Sequence, residues 1–133
     1  MKKSWVEIYG LAVCFFTVAC FVVVLGIATW DVVKICAPEF TLSSYVWDQH
    51  QTDEAFKKKL INEHRYGEEK NTYVPPEGAA LTKEREDSLS GAIRSERRGA
   101  IQDLVRNLII LLIDLGVFLV HWKIAARARE SAG

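Results

Sequence analysis

Two long apolar runs with a polar stretch between them set the pattern of this chain. From Ile8 to Trp30 no residue is charged, and from Asn107 to Trp122 the one acid is Asp114. A bilayer core of about 30 Å takes about 20 apolar helical residues, and both runs meet that length. The pattern predicts an all-α membrane protein, a two-span transmembrane helical hairpin with a helical extramembrane segment between the spans. The expected division is a short basic tail at 1–5, a first span at 6–30, and an extramembrane segment at 31–81. A water-exposed helix at 82–103 then leads into a second span at 104–123, and a basic tail follows at 124–133.

The first run is too long for a signal-peptide core and lacks an A-x-A cleavage pattern, so it reads as a permanent helix. Pro38 forbids its continuation. Thr41 to His50 mixes aromatic and polar residues and suits the membrane surface through Tyr45, Val46 and Trp47. The stretch TDEAFKKKLINEHRYG predicts a short helix. Thr52 or Asp53 caps it, Phe56 and Leu60 lie at helical spacing with Ile61 and His64, and Gly67 ends it. Pro75-Pro76 with Gly78 marks a turn or linker. Beyond it, Thr82 is the expected cap of one long helix reaching Arg127, which Gly91 and Gly99 weaken by ~1 kcal/mol each, leaving a break near Gly99 open.

Composition changes little by itself. The chain has 133 residues, 50% of them hydrophobic, with 17 basic and 17 acidic side chains. That balance carries no net field toward nucleic acid. Its segregation outside the two runs is what supports membrane spans. Cys14, Cys20 and Cys36 form neither a disulfide framework nor a zinc spacing. His50, His64 and His121 make no metal site by spacing. No phosphate loop or nucleophile motif stands out, so the expectation is a non-enzyme without cofactor or metal.

The candidate chemistry is a polar stripe. Asp103, Asn107, Asp114 and His121 are spaced by four, seven and seven, which puts them on one side of a helix. Asp114 stands near the middle of its span, where a charge costs at least ~2.5–3.5 kcal/mol. Three readings compete. Asp114 is protonated or hydrogen-bonded and glues this helix to another, with Thr17, Cys14, Cys20 or another subunit as partner. Alternatively it carries protons along a relay with Asn107 and His121, or it pairs with a base in a larger complex. Two helices alone hardly enclose a conduction path, so glue leads. Arg106 lies two turns from Asp114 and is placed to reach headgroups or to pair with Asp103. Ala12, Ala19 and Gly26 recur every seven residues and offer a helix-packing face. Trp5, Trp30, Trp122 and Lys123 are expected interface anchors. Glu7 and His121 fall at the same membrane level and are expected to touch. Lys57-Lys58-Lys59 reads as a solvated face, with headgroup contact as the sharper alternative.

The stretch RRGAIQDLVRNLIILLIDLGVFLVHWKIAAR resembles the ends of uncharacterised bacterial small multi-pass membrane proteins, in which a span closes with His-Trp-Lys/Arg and a short basic tail. The resemblance covers about the last third of the chain. It implies a bacterial membrane protein and no activity. Lys2, Lys3, Lys123, Arg127 and Arg129 favour both termini in the cytoplasm. Arg94, Arg97, Arg98 and Arg106 argue the other way, and the segment between the spans is long enough to weaken the rule. The expected role is an accessory or assembly subunit in the bacterial cytoplasmic membrane. Its polar stripe packs on other membrane-protein subunits or on copies of itself, within a lipid bilayer and without nucleic acid. The alternatives are an oligomeric proton or cation channel or transporter component using Asp114, and a membrane-anchored sensor whose segment 31–103 binds a partner.

Overall fold

The computed structural model describes residues 5–65 and 73–130. Its described elements are all helical: α1 (Trp5–Cys36), α2 (Pro38–Thr41), α3 (Ser44–Gln49), α4 (Asp53–Arg65) and α5 (Ala79–Glu130). α1 and α5 are long and apolar enough to cross a membrane. α5 runs without interruption through Gly99.

The short helices follow from local chemistry. Ala37 leaves the helical region (φ −134°, ψ 64°) because the ring of Pro38 crowds the residue before it. Pro38 then opens α2, where its missing N–H costs nothing. Leu42 is extended, and Ser43 caps α3 by accepting the Val46 N–H at 3.4 Å. Thr52 caps α4: its hydroxyl oxygen accepts the Ala55 N–H at 3.2 Å. Asp53 and Glu54 occupy the first turn of α4, where the helix dipole favours negative charge. Gly67, the expected end of this helix, lies outside the described residues. Gly78 adopts φ +59°, a left-handed conformation open to glycine at no steric cost, immediately before α5.

The chain divides into two compact units, Met1–Val32 with Ala100–Gly133, and Val33–Gly99. In the first, α1 and α5 run antiparallel. Glu7 meets Arg129, Cys14 meets the Phe118 carbonyl, and Asp31 meets Asn107. Glu7, Gly10, Cys14, Ala28 and Asp31 are the buried residues of α1. Their spacing of threes, fours and multiples of seven makes one stripe. Opposite them, Ala100, Asn107 and Ala125 are buried on α5. The helices approach closely at Gly10, where a Cβ would stand 3.0 Å from the Ala125 Cβ and 3.2 Å from the His121 carbonyl oxygen.

In the second unit, Phe56, Leu60 and Leu81 form a small core with Tyr73 packed against it. Phe56 is only 1% exposed. His64 stacks flat on Tyr73 with ring centres 3.5 Å apart. Ile61 is exposed rather than part of this core. Around the core, Arg85 pairs with Asp53 at 3.0 Å and donates to the carbonyls of His50 and Gln51.

Two expectations change here. Thr82 is not the cap of the long helix, which starts at Ala79; its hydroxyl donates to the Asp53 carboxylate at 2.7 Å. The glycine turn starts the helix earlier and frees the threonine for α4. Ala12, Ala19 and Gly26 are exposed, and nothing lies within 4 Å of a Cβ built at Gly26. The helix packing within this chain is made instead at Gly10, Cys14 and Ala28. The buried acids Glu7 and Asp31 turn that face of α1 inward.

Candidate functional site

Asn107, Asp114 and His121 of the α5 stripe lie along the seam with α1. Asn107 is buried and donates its side-chain N–H to Asp31 at 2.7 Å. Asp31 is 2% exposed. At the sequence level it marks the exit of the first run from an apolar medium; in the structure it is a seam residue with its own donor. His121 is half-buried, with Nδ1 at 2.8 Å from the Val117 carbonyl and its ring 5.9 Å from the Tyr9 ring. Asp103 pairs with Arg106 at 2.8 Å, one turn away on the same helix.

Glu7 is 6% exposed and is held by Arg129 at 3.3 Å. The expected Glu7–His121 contact gives way to this ion pair. A guanidinium is always charged and matches a carboxylate, whereas His121 turns one ring nitrogen to its own helix.

Asp114 is the exception along the seam. Its Oδ2 is buried and has no hydrogen-bond partner. The groups that sequence offered for it are engaged elsewhere or turned away. The Thr17 hydroxyl donates to the carbonyls of Val13 and Cys14, at 3.1 and 2.9 Å. The Cys14 thiol faces the Phe118 carbonyl at 3.9 Å. Cys20 is exposed. Asp114 lines a pocket of about 190 Å³ with Thr17, Val18, Phe21, Leu115 and Phe118. A buried polar atom without a partner costs roughly 1–3 kcal/mol, and an ionised one costs more. The arrangement therefore suits a donor brought from outside the hairpin.

The residues expected as interface anchors are exposed. Trp5 is 87% exposed, and Trp30, Trp122 and Lys123 are also exposed. On the short helices, Phe40, Tyr45 and Trp47 are exposed, while Val46 is half-buried with its carbonyl 2.6 Å from His50 Nδ1.

A second polar cluster, in the Val33–Gly99 unit, was not visible in the sequence. His50 is buried, with Nε2 3.0 Å from the Ser88 hydroxyl. Lys59 donates to the same hydroxyl at 3.4 Å. This cluster ties α3, α4 and α5 together. The lysine run is partly consumed: Lys57 pairs with Glu77 at 2.8 Å and Lys59 with Glu63 at 4.0 Å. Outside the spans, the Lys57 ammonium donates to the Glu77 carboxyl and lowers its pKa below the ordinary value. Burial, then the charges of Glu84 and Glu63, raises that of Tyr73. Among the described residues no group of three or more His, Cys, Asp or Glu is placed to hold a metal ion. No protein-family model, no curated protein and no solved structure matches the chain.

Proposed function

We propose that this protein is an accessory or assembly subunit of the bacterial cytoplasmic membrane. It inserts through the apolar parts of α1 and α5, with both termini in the cytoplasm. The observation that carries this reading is the buried Oδ2 of Asp114, without a partner in the middle of the second run. Every other member of the stripe is occupied inside the hairpin. Asp114 is what remains for a donor on a helix of a larger complex or of a second copy. The adjoining pocket is the place where such a side chain enters. In an apolar medium an intramembrane acid is functional by default, and its use is glue or ion handling.

The test is Asp114→Asn in the full chain, followed by native size in mild detergent and by resistance to carbonate extraction. Lost assembly with normal insertion supports the reading. A monomer with no co-purifying partner in the unaltered protein contradicts it.

A second reading, a subunit of an oligomeric proton or cation pathway, draws support from three acids on one seam. Glu7 and Asp31 are buried, and Asp114 is half-buried between them. Intact assembly of Asp114→Asn with lost ion flux in vesicles favours this reading over glue.

A further inference from the structure

Leu42 and Ser43 are extended, with ψ of 139° and 140°, and they part α2 from α3. The turn frames a hollow of about 380 Å³, lined by Glu39, Phe40, Leu42, Ser44 and Trp47. All five lie in the Val33–Gly99 unit. Small-molecule sites run from about 300 to 1,000 Å³, so the size suits a small ligand. Phe40 is 76% exposed and Trp47 39%, which leaves ring surface open to one. Glu39 is exposed, and no ion pair or hydrogen bond engages it among the described residues. Lys34, five positions earlier, is turned to Glu96 at 4.0 Å. No base lines the hollow.

We infer that this hollow binds an organic ammonium ion of the quaternary, choline type. The inference is independent of the assembly reading of Asp114. A carboxylate supplies negative charge, and the faces of Phe40 and Trp47 attract a cation within about 6 Å of the ring centre. Both features select the same sign of charge. An anion is repelled by Glu39. A neutral apolar ligand strips water from the carboxylate and returns nothing. One carboxylate and one hydroxyl fall short of the ligand set of zinc or calcium. A primary ammonium is strongly hydrated and brings three N–H donors to these two acceptor groups. A quaternary ammonium carries no N–H, so no donor is left unmatched, and Leu42 gives its methyl groups an apolar surface.

The test uses the full-length protein in a sugar-headgroup detergent, titrated calorimetrically with choline and with its neutral carbon isostere, 3,3-dimethylbutan-1-ol. Choline is expected to bind with Kd on the order of 1 mM, about tenfold tighter than the isostere. Glu39→Gln and Trp47→Leu should each weaken it about fivefold, while Trp47→Phe keeps a ring and most of the affinity. Tyr45→Leu, at an exposed aromatic outside the hollow, should change nothing. Glu39 is exposed, so its replacement spares the fold and decides the matter even where a Trp47 variant unfolds. Vesicles separate the two sources of the group. Choline affinity in detergent marks a free ion. Retention of phosphatidylcholine over phosphatidylglycerol that Glu39→Gln abolishes, without choline affinity, marks a lipid headgroup. Either outcome supports the ammonium site. Equal binding of choline and its isostere overturns it, as does choline affinity unchanged in both Glu39→Gln and Trp47→Leu. Absence of both choline affinity and Glu39-dependent lipid retention overturns it too.

Discussion

Asp31 and Asn107, 76 residues apart in the chain, meet in a buried hydrogen bond of 2.7 Å. The bond fixes which turn of α5 faces the end of α1. It also gives Asp31, the most buried acid among the described residues, a donor that water does not supply.

Asn107→Leu removes that donor and leaves Asp31 buried beside an apolar group. The expected loss is about 1–3 kcal/mol of hairpin stability, the cost of a buried polar group left unpaired. The double substitution Asp31→Leu, Asn107→Leu is expected to recover most of it, since no polar group is then orphaned. Thermal or denaturant unfolding in detergent reads both. A double variant as unstable as the sum of the singles would remove the coupling.

Asp114→Leu is expected to act oppositely on stability and on assembly. Removing a buried carboxyl oxygen without a partner should stabilise the isolated hairpin, by an amount on the order of 1–3 kcal/mol. The same change should lower native size in mild detergent. Unfolding and sedimentation measured on one preparation check the pair of outcomes.

Gly10→Leu and Gly26→Leu separate the two faces of α1. At Gly10 a side chain meets Ala125 and the His121 backbone, so the helices must part, at an expected cost of about 1–3 kcal/mol from overpacking. At Gly26 nothing within the chain is in the way. A crosslink between cysteines placed at positions 7 and 129 should form in the Gly26 variant and fall sharply in the Gly10 variant.

The Val33–Gly99 unit is expected to lose stability at both ends of the pH scale. The folded pKa of Tyr73 lies above its ordinary value of 10.0, chiefly through burial. Its contribution is therefore full below 10.0 and is lost as pH rises through the folded value. Glu77 is shifted down from 4.5 by Lys57, so its contribution is present above 4.5 and is lost as pH falls toward the folded value. Tyrosinate absorbance with melting curves checks the alkaline limb, which Tyr73→Phe should abolish. Lys57→Gln should flatten the acid limb.

Helix content was legible because it depends on local pattern. The apolar runs, the break at Pro38, the Thr52 cap and the Asp103–Arg106 pair all involve residues a few positions apart. The facing of α1 was not legible. A helix apolar on every side carries no preferred direction, so Ala12, Ala19 and Gly26 looked as suitable for packing as Gly10, Cys14 and Ala28. What decides is the burial of Glu7 and Asp31, and their partners lie at the far end of the chain. The second polar cluster was hidden for the same reason, since His50 and Ser88 are 38 residues apart. Asp114 was legible as an anomaly, but its lack of a donor needed the positions of Thr17 and Cys14.

The seam is fastened near both ends, by Glu7 with Arg129 and Gly10 against Ala125 at one, and by Asp31 with Asn107 at the other. Two clasps so far apart remove sliding as a degree of freedom, because a shift of one residue would break both together. The space beside Asp114 therefore cannot be erased by moving the helices along each other. It stays a pocket of about 190 Å³, held at a set size between two fixed clasps.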